Sequence, residues 1–333
     1  MKAFYALVKA RTMEFLRDTG NLIWTLAFPV LLIVGFAFTF SGNDGTVFKV
    51  GVLGPGDPSL GFLHTPQTQF IDYPESEKTD LLEKVRLHKL DAVVDTGTKQ
   101  YWVNEQGKNH ALVDLLLTRQ DGGSTYSRSA VTGEPIRYVD QLVPGVIGMN
   151  VMFGAVFGVG WVLVRYRKNG VLKRMKATPV SALSFVTAQG VSRLLIVLVT
   201  SAAVYIGTNF FLRFRMEGSY LDLFLLLILG VLAMISLGLV FAARLKNEEL
   251  AGGLMNLVTF PMMLFSGVFF SLEGTPPLLQ NAAQVLPLTH FIQAARGVML
   301  QGWGLVQIAP DLLFLGAFTA VCLGIAAWLF KWE

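Results

Sequence analysis

Six stretches of this 333-residue chain are apolar for about twenty residues at a time, which restricts what their backbone can become. Asn21 to Phe40, Leu142 to Val164, Leu183 to Phe211, Leu221 to Ala243, Leu250 to Ser271 and Ile308 to Phe330 each reach the length that crosses a hydrocarbon core of about 30 Å as a helix. Composition points the same way, because 53% of the residues are hydrophobic and only 15% are charged, against roughly 25% charged in a soluble domain. The layout is lopsided: one span, a mixed polar insertion, then five spans nearly end to end. The expected fold is an α-helical polytopic membrane protein of six transmembrane helices, with a small α/β domain between spans one and two.

Orientation follows from lysine and arginine in the short connections. One side carries Lys2, Lys9, Arg11 and Arg17, then Arg165, Arg167, Lys168, Lys173, Arg174 and Lys176, then Arg244, Lys246 and Lys331. The other carries Arg213, Arg215 and Arg296. Both termini are therefore expected in the cytoplasm and the insertion outside it. The net charge of +4 is explained by this topology, and nucleic-acid binding is not supported. Residues 1–20 place Phe4, Leu7, Val8, Arg11 and Phe15 at helical spacing, which predicts a cytoplasmic interfacial helix ahead of span one at 21–40. A cleavable leader is disfavoured, since the apolar run is too long and no small-x-small site follows it.

Residues 41–141 change character. Val47 to Leu53 reads as a buried strand, Glu77 to Leu90 as an amphipathic helix, Ala92 to Val94 and Lys99 to Val103 as strands, and His110 to Arg119 as a second helix. Gln120 to Pro135, with Gly122, Gly123 and Ser124, reads as a mobile connection back to the membrane. The one cysteine, Cys322, lies in the last span, so no intramolecular disulfide forms.

The usual chemistry is missing. There is no phosphate loop of the Gly-x-x-x-x-Gly-Lys-Ser/Thr type and no paired Cys or His spacing for a metal. His64, His88, His110 and His290 are scattered and are expected as surface residues. The spans hold almost no ionisable residue at mid-depth, whereas ion-coupled carriers need one. Arg193, a turn or two into the third span, is the exception; it is expected to snorkel to the inner interface, with a transport role as the alternative.

Two stretches carry a family resemblance. The connection Arg165-Tyr-Arg-Lys-Asn-Gly170-Val-Leu-Lys-Arg174-Met-Lys-Ala-Thr178-Pro179-Val-Ser181 resembles the inner-loop pattern of ABC-2 type exporter permeases. Phe260-Pro261, Ser266-Gly267-Val-Phe-Phe270, Pro276-Pro277, Leu286-Pro287-Leu-Thr289, Ala295-Arg296-Gly297 and Gln301-Gly302 are similar to that family's fifth span and outer re-entrant region. One departure is visible: family members often carry an acidic residue before the loop glycine, where this chain has Lys168-Asn169.

The resemblance implies a permease rather than an enzyme, paired with a second permease protomer, identical or different, and with a separate cytoplasmic ABC ATPase in a bacterial inner membrane. No catalytic residue, metal or cofactor is expected on this chain; ATP and Mg belong to the partner ATPase. Within 142–333, the loop 165–182 would form a coupling helix, with Gly170, Leu172, Arg174, Met175, Thr178 and Pro179 as the ATPase-contacting set. Leu172 and Met175 stand at i, i+3 as an apolar ridge, and Thr178-Pro179 stops the helix. The region 272–307 would be re-entrant, with Gly267, Glu273, Pro276, Pro287 and Arg296 at an outer gate. Proline and glycine there break helices at membrane depth, where only protein-buried or cavity-lining backbone is tolerated. A hydrophobic or amphipathic cargo would pass between spans one, two and five of two protomers. The alternatives are a secondary transporter and a membrane-anchored extracytoplasmic ligand sensor.

Overall fold

Helices of hydrocarbon length dominate the computed structural model, which describes residues 2–39, 48–54, 68–74, 78–86, 90–107, 110–111, 113–114, 126–133, 137–178, 180–269 and 277–329. In chain order the elements are α1 (Lys2–Arg17), α2 (Thr19–Thr39), β1 (Phe48–Leu53), β2 (Thr68–Tyr73), α3 (Lys78–Arg86), β3 (Ala92–Asp95), β4 (Gln100–Asn104) and β5 (Ser127–Val131). They continue with α4 (Tyr138–Lys168), α5 (Val171–Lys176), α6 (Ala182–Leu212), α7 (Tyr220–Ala242), α8 (Glu248–Phe265), α9 (Pro277–Ala283), α10 (Pro287–Gln301) and α11 (Leu305–Leu329). The chain divides into two units, Met1–Phe38 with Val139–Glu333, and Thr39–Tyr138.

In the helical unit, α2, α4, α6, α7 and α11 are long and apolar enough to cross a membrane. The protein is a polytopic helical membrane protein. The stretch read as span five begins as α8, but it opens on Glu248 and Glu249 and ends at Phe265, so its apolar part falls short of the other five. Its start is set by Asn247, whose side chain accepts from the N–H of Glu249 (2.8 Å) and of Leu250 (3.3 Å), while the two glutamates face the positive end of the helix. Ser181 and Ser219 cap α6 and α7 in the same way. Helix α7 packs against α6, α10 and α11, and α1 lies along α6.

Helix α4 is the most enclosed of the five long helices. Gly238 of α7 meets its backbone at Val156, so close an approach that a Cβ would collide with the Val156 carbonyl. Helix α10, too short to cross a bilayer, is nevertheless buried along Leu288, Phe291, Ile292, Ala294, Ala295 and Val298. A turn at 284–286 separates it from α9, so 278–300 is not one amphipathic surface helix.

The smaller unit is a five-stranded sheet in the order β2-β1-β3-β4-β5. β1 pairs parallel with β2 and β3, β4 is antiparallel to β3, and β5 is parallel to β4. Alternation along the strands gives two cores. One face gathers Val50, Ala92, Val94, Tyr101 and Val103 with Val113; the other gathers Leu53, Val93 and Trp102 with Leu81 and Val85 of α3. The β1, α3, β3 and β4 expectations match. Two strands were not expected. β2 lies in a stretch left unassigned, and β5 corrects part of the supposed mobile connection: Ser127–Val131 is a strand, polar because it lies at an edge with its side chains largely exposed. Of the expected helix at 110–119, residues 110, 111, 113 and 114 are helical and the rest lie outside the described residues. Asn104 closes the end of α3, its amide donating to the carbonyls of Val85 (3.4 Å), Arg86 (3.0 Å) and Gly133 (3.0 Å).

The turn after β3 depends on Asp95. Burial pushes its carboxyl up, but the N–H of Gly97 (3.1 Å) and of Thr98 (3.0 Å) and the ammonium of Lys78 (3.2 Å) outweigh that and hold it below the usual range. A depressed folded value means that the stabilisation is present above the ordinary carboxylate range near pH 4 and is lost as pH falls through the folded value. Asp95→Asn in the full chain should therefore lower hydrogen-exchange protection at the 96–99 turn by about two- to fivefold at pH 7, since Lys78 is partly exposed. The difference from wild type should vanish in acid.

Candidate functional site

The short helix α5 follows α4 after one tight turn. Gly170 has φ 69°, a left-handed conformation that glycine adopts without strain, and its carbonyl accepts from the Arg174 N–H at 3.1 Å. At the other end the Thr178 N–H and hydroxyl both donate to the Met175 carbonyl, at 3.0 and 2.6 Å. Leu172 is fully buried, whereas Lys173, Arg174, Lys176, Ala177 and Thr178 are exposed and Met175 is half-buried. The expected Leu172–Met175 ridge is thus corrected. Leu172 turns inward and anchors the loop, and the exposed face is basic, with Met175 at its edge. Pro179 lies outside the described residues.

The loop is tied down by a residue that sequence reasoning passed over as a topology marker. Arg167, in the last turn of α4, is 8% exposed. Its guanidinium donates to the carbonyls of Ala242 (2.6 Å), Ala243 (3.1 Å) and Leu245 (2.7 Å) at the C-terminal end of α7. Those carbonyls have no intrahelical donor, and a cation there also meets the negative end of the helix dipole. Lys168 reaches Glu248 of α8 at 3.7 Å.

The second expected cluster is partly assembled. Arg296 of α10 donates through Nε to the Gln141 carbonyl (3.1 Å) and through Nη2 to the Gly267 carbonyl (2.6 Å), bracing the start of α4 and the segment after α8. Pro287 occupies the first turn of α10 and is buried. Glu273 and Pro276 lie outside the described residues. His290, expected at the surface, is half-buried instead: it stacks on Phe314 with ring centroids 3.8 Å apart, its Nδ1 lies 2.7 Å from Asp311 Oδ1, and its Nε2 lies 2.8 Å from the Gln284 carbonyl.

The helical unit forms a half-open cavity of about 870 Å³, within the size range of small-molecule sites. Residues of α1, α2, α4, α6 and α8 line it, and its walls include the aromatic side chains of Trp24, Phe28, Phe153, Phe157, Trp161 and Phe260. Arg193 also lines it and does not snorkel away; it is 7% exposed, and its Nε–H donates to the Gly154 carbonyl. Nearer α1, Arg11 pairs with Glu14 at 2.7 Å, and the Tyr166 hydroxyl donates to the same carboxylate. Burial raises the Glu14 carboxyl, but these two partners outweigh it and hold it below the usual range.

A multi-pass helical unit with a basic loop helix and an aromatic cavity has the build of a transport permease. The family model described as "ABC-2 type transporter" matches residues 90–300, and the chain belongs to that family. It is 28% identical over 180 residues to the "Inner membrane transport permease YhhJ" of Escherichia coli (strain K12), over 52% of this chain, and the match spans about half of that relative (48%). It is 20% identical to the "Probable multidrug ABC transporter permease YbhS" of the same organism, covering 97% of this chain and 95% of the relative. It is 22% identical to the "Linearmycin resistance permease protein LnrN" of Bacillus subtilis (strain 168), covering 96% and 97%.

Arg167→Met should leave three carbonyls near the α7 terminus without their charged donor. We expect a loss of about 2–3 kcal/mol, read as a lower Tm of the detergent-purified protein. Arg167→Lys should recover only part of it, because a point charge cannot span three acceptors.

Proposed function

We propose that this chain is the membrane-spanning permease subunit of an ATP-driven ABC exporter that moves a hydrophobic or amphipathic molecule outward, powered by a separate cytoplasmic ATPase. The observation that carries the reading is the exposed basic face of α5, held at the end of the enclosed helix α4, which also lines the aromatic cavity. Family membership and the full-length similarity to YbhS and LnrN support it. In this reading α8 is a sixth, shorter span, both termini and α5 face the cytoplasm, and the α/β unit lies outside. Two protomers, each with one α5, meet two ATPase subunits, and ATPase closure pushes on both loops. Helices α9 and α10 form the outer re-entrant region, with Arg296 bracing it.

The test is co-purification of the tagged permease with the ABC ATPase encoded beside it, followed by nucleotide hydrolysis. Arg174→Asp and Met175→Asp should leave the permease inserted and folded yet abolish ATPase association and transport. Leu172→Ala should behave differently, lowering Tm through a cost of about 2–4 kcal/mol for the buried cavity it opens. Normal association and transport in both aspartate variants would sink the coupling assignment.

A further inference from the structure

A guanidinium offers five N–H donors and no acceptor, and placing it in a low-dielectric interior is unfavourable unless acceptors or an anion meet it. Arg193 is placed so. It is 7% exposed, about 17 Å along α6 from that helix's start. Only its Nε–H finds an acceptor among the described residues, the carbonyl of Gly154. Its guanidinium carbon stands 5.3 Å from the ring centroid of Phe15. Gly158, one turn from Gly154 on α4, provides the slot in which the group lies, since a Cβ at 158 would collide with it. Carbonyl, ring and slot hold the guanidinium, and Arg193 lines the cavity.

No carboxylate pairs with Arg193 among the described residues; the charge acting on it is another cation, Arg11. The acids that line the same cavity are Glu14 and Asp18. Glu14 is taken by Arg11 and Tyr166, and Asp18 accepts from the Asn21 N–H at 3.1 Å. Arg165, also on the lining, lies 5.7 Å from the Trp161 ring. The cavity thus combines aromatic side chains suited to an apolar body with a held cation, Arg193, that has no carboxylate partner among the described residues. A charge-assisted, two-pronged bond to a carboxylate or phosphate is the interaction this geometry leaves open.

We infer that the cavity takes a molecule with an apolar body and a single anionic head, a carboxylate or a phosphate, and that Arg193 is the counter-ion of that head and determines specificity for it. The inference rests on the exporter reading only in naming that molecule as cargo. A cationic head placed at Arg193 meets like charge from it and from Arg11, and an uncharged head leaves Arg193 unpaired.

The test uses the full-length protein in nanodiscs and three bromine-labelled probes of equal chain length: an alkanoic acid, the matching alkanol and the matching alkyltrimethylammonium. Trp24 and Trp161 line the cavity and report occupancy by quenching; a double replacement of both by phenylalanine identifies the site-specific signal. Wild type should bind the acid about tenfold or more tighter than the alcohol, with the ammonium weakest. Arg193→Gln should abolish that preference, bringing the acid's affinity down to the alcohol's in the same variant, and Arg193→Lys should keep part of it. Nanodiscs with and without phosphatidylglycerol distinguish the source: competition by the acidic lipid marks a lipid head as occupant, and its absence marks a free amphiphile. Equal affinity of wild type for all three probes overturns the inference without any variant, and so does an unchanged acid preference in Arg193→Gln. An acid preference with no associated ATPase would retain the site and refute the exporter reading; an associated ATPase with no preference would do the reverse.

Discussion

A backbone carbonyl in a low-dielectric interior needs a donor, and three arginines of the helical unit donate to carbonyls of other elements. Arg167 covers the open carbonyls at the end of α7, Arg296 those of Gly267 and Gln141, and Arg193 the carbonyl of Gly154. Each crosses between elements far apart in sequence, so each also fixes packing. Arginine suits this work better than lysine, because a planar fork reaches several acceptors at once. The first two are engaged with carbonyls at helix ends or breaks. The third meets a carbonyl inside a helix and leaves most of its donors over, which separates a brace from a binding group.

Much of the architecture was readable because hydrocarbon-length helices and buried strands announce themselves by composition and period. The limits of α2, α4, α6, α7 and α11 fall within a few residues of the expected spans, although α4 runs past the apolar core into polar flanks. β5 was hidden because Ser-Arg-Ser-Ala-Val at a sheet edge has no buried face to leave a pattern. β2 was missed for lack of a clean alternation in Thr-Gln-Phe-Ile-Asp-Tyr.

The site was less legible, and for a geometric reason. A six-residue helix is too short for periodicity to say which side faces inward, so Leu172 was read as a contact when it is an anchor. Arg167 counted only as a positive charge, because nothing local shows that it reaches the end of a helix some seventy-five positions later. Gly154 and Gly158 have the spacing of ordinary helix-packing glycines, and what approaches them is the Arg193 side chain as well as a neighbouring helix. Such pairings belong to tertiary structure and leave no mark in either segment alone.

Helix α4 gathers these features onto one rigid element. With 31 residues it is about 46 Å long, and in sequence order it carries the carbonyl that Arg296 braces, the slot that holds Arg193, and the Arg167 clamp beside α5. Gly158 stands only about 15 Å along the axis from the last residue of the helix. A displacement of α5 acts on α4 at Gly170, and Arg167 carries it at once to the end of α7. Because α4 is packed along most of its length, a push on α5 in the exporter reading would be absorbed by sliding at its interfaces rather than by bending, and the slot would shift relative to α6. Moving Gly154 and Gly158 past Arg193 changes how the guanidinium is held. The same motion that opens or closes a path would then change the affinity for a charged head, which is what a carrier needs if it is to bind on one side and release on the other.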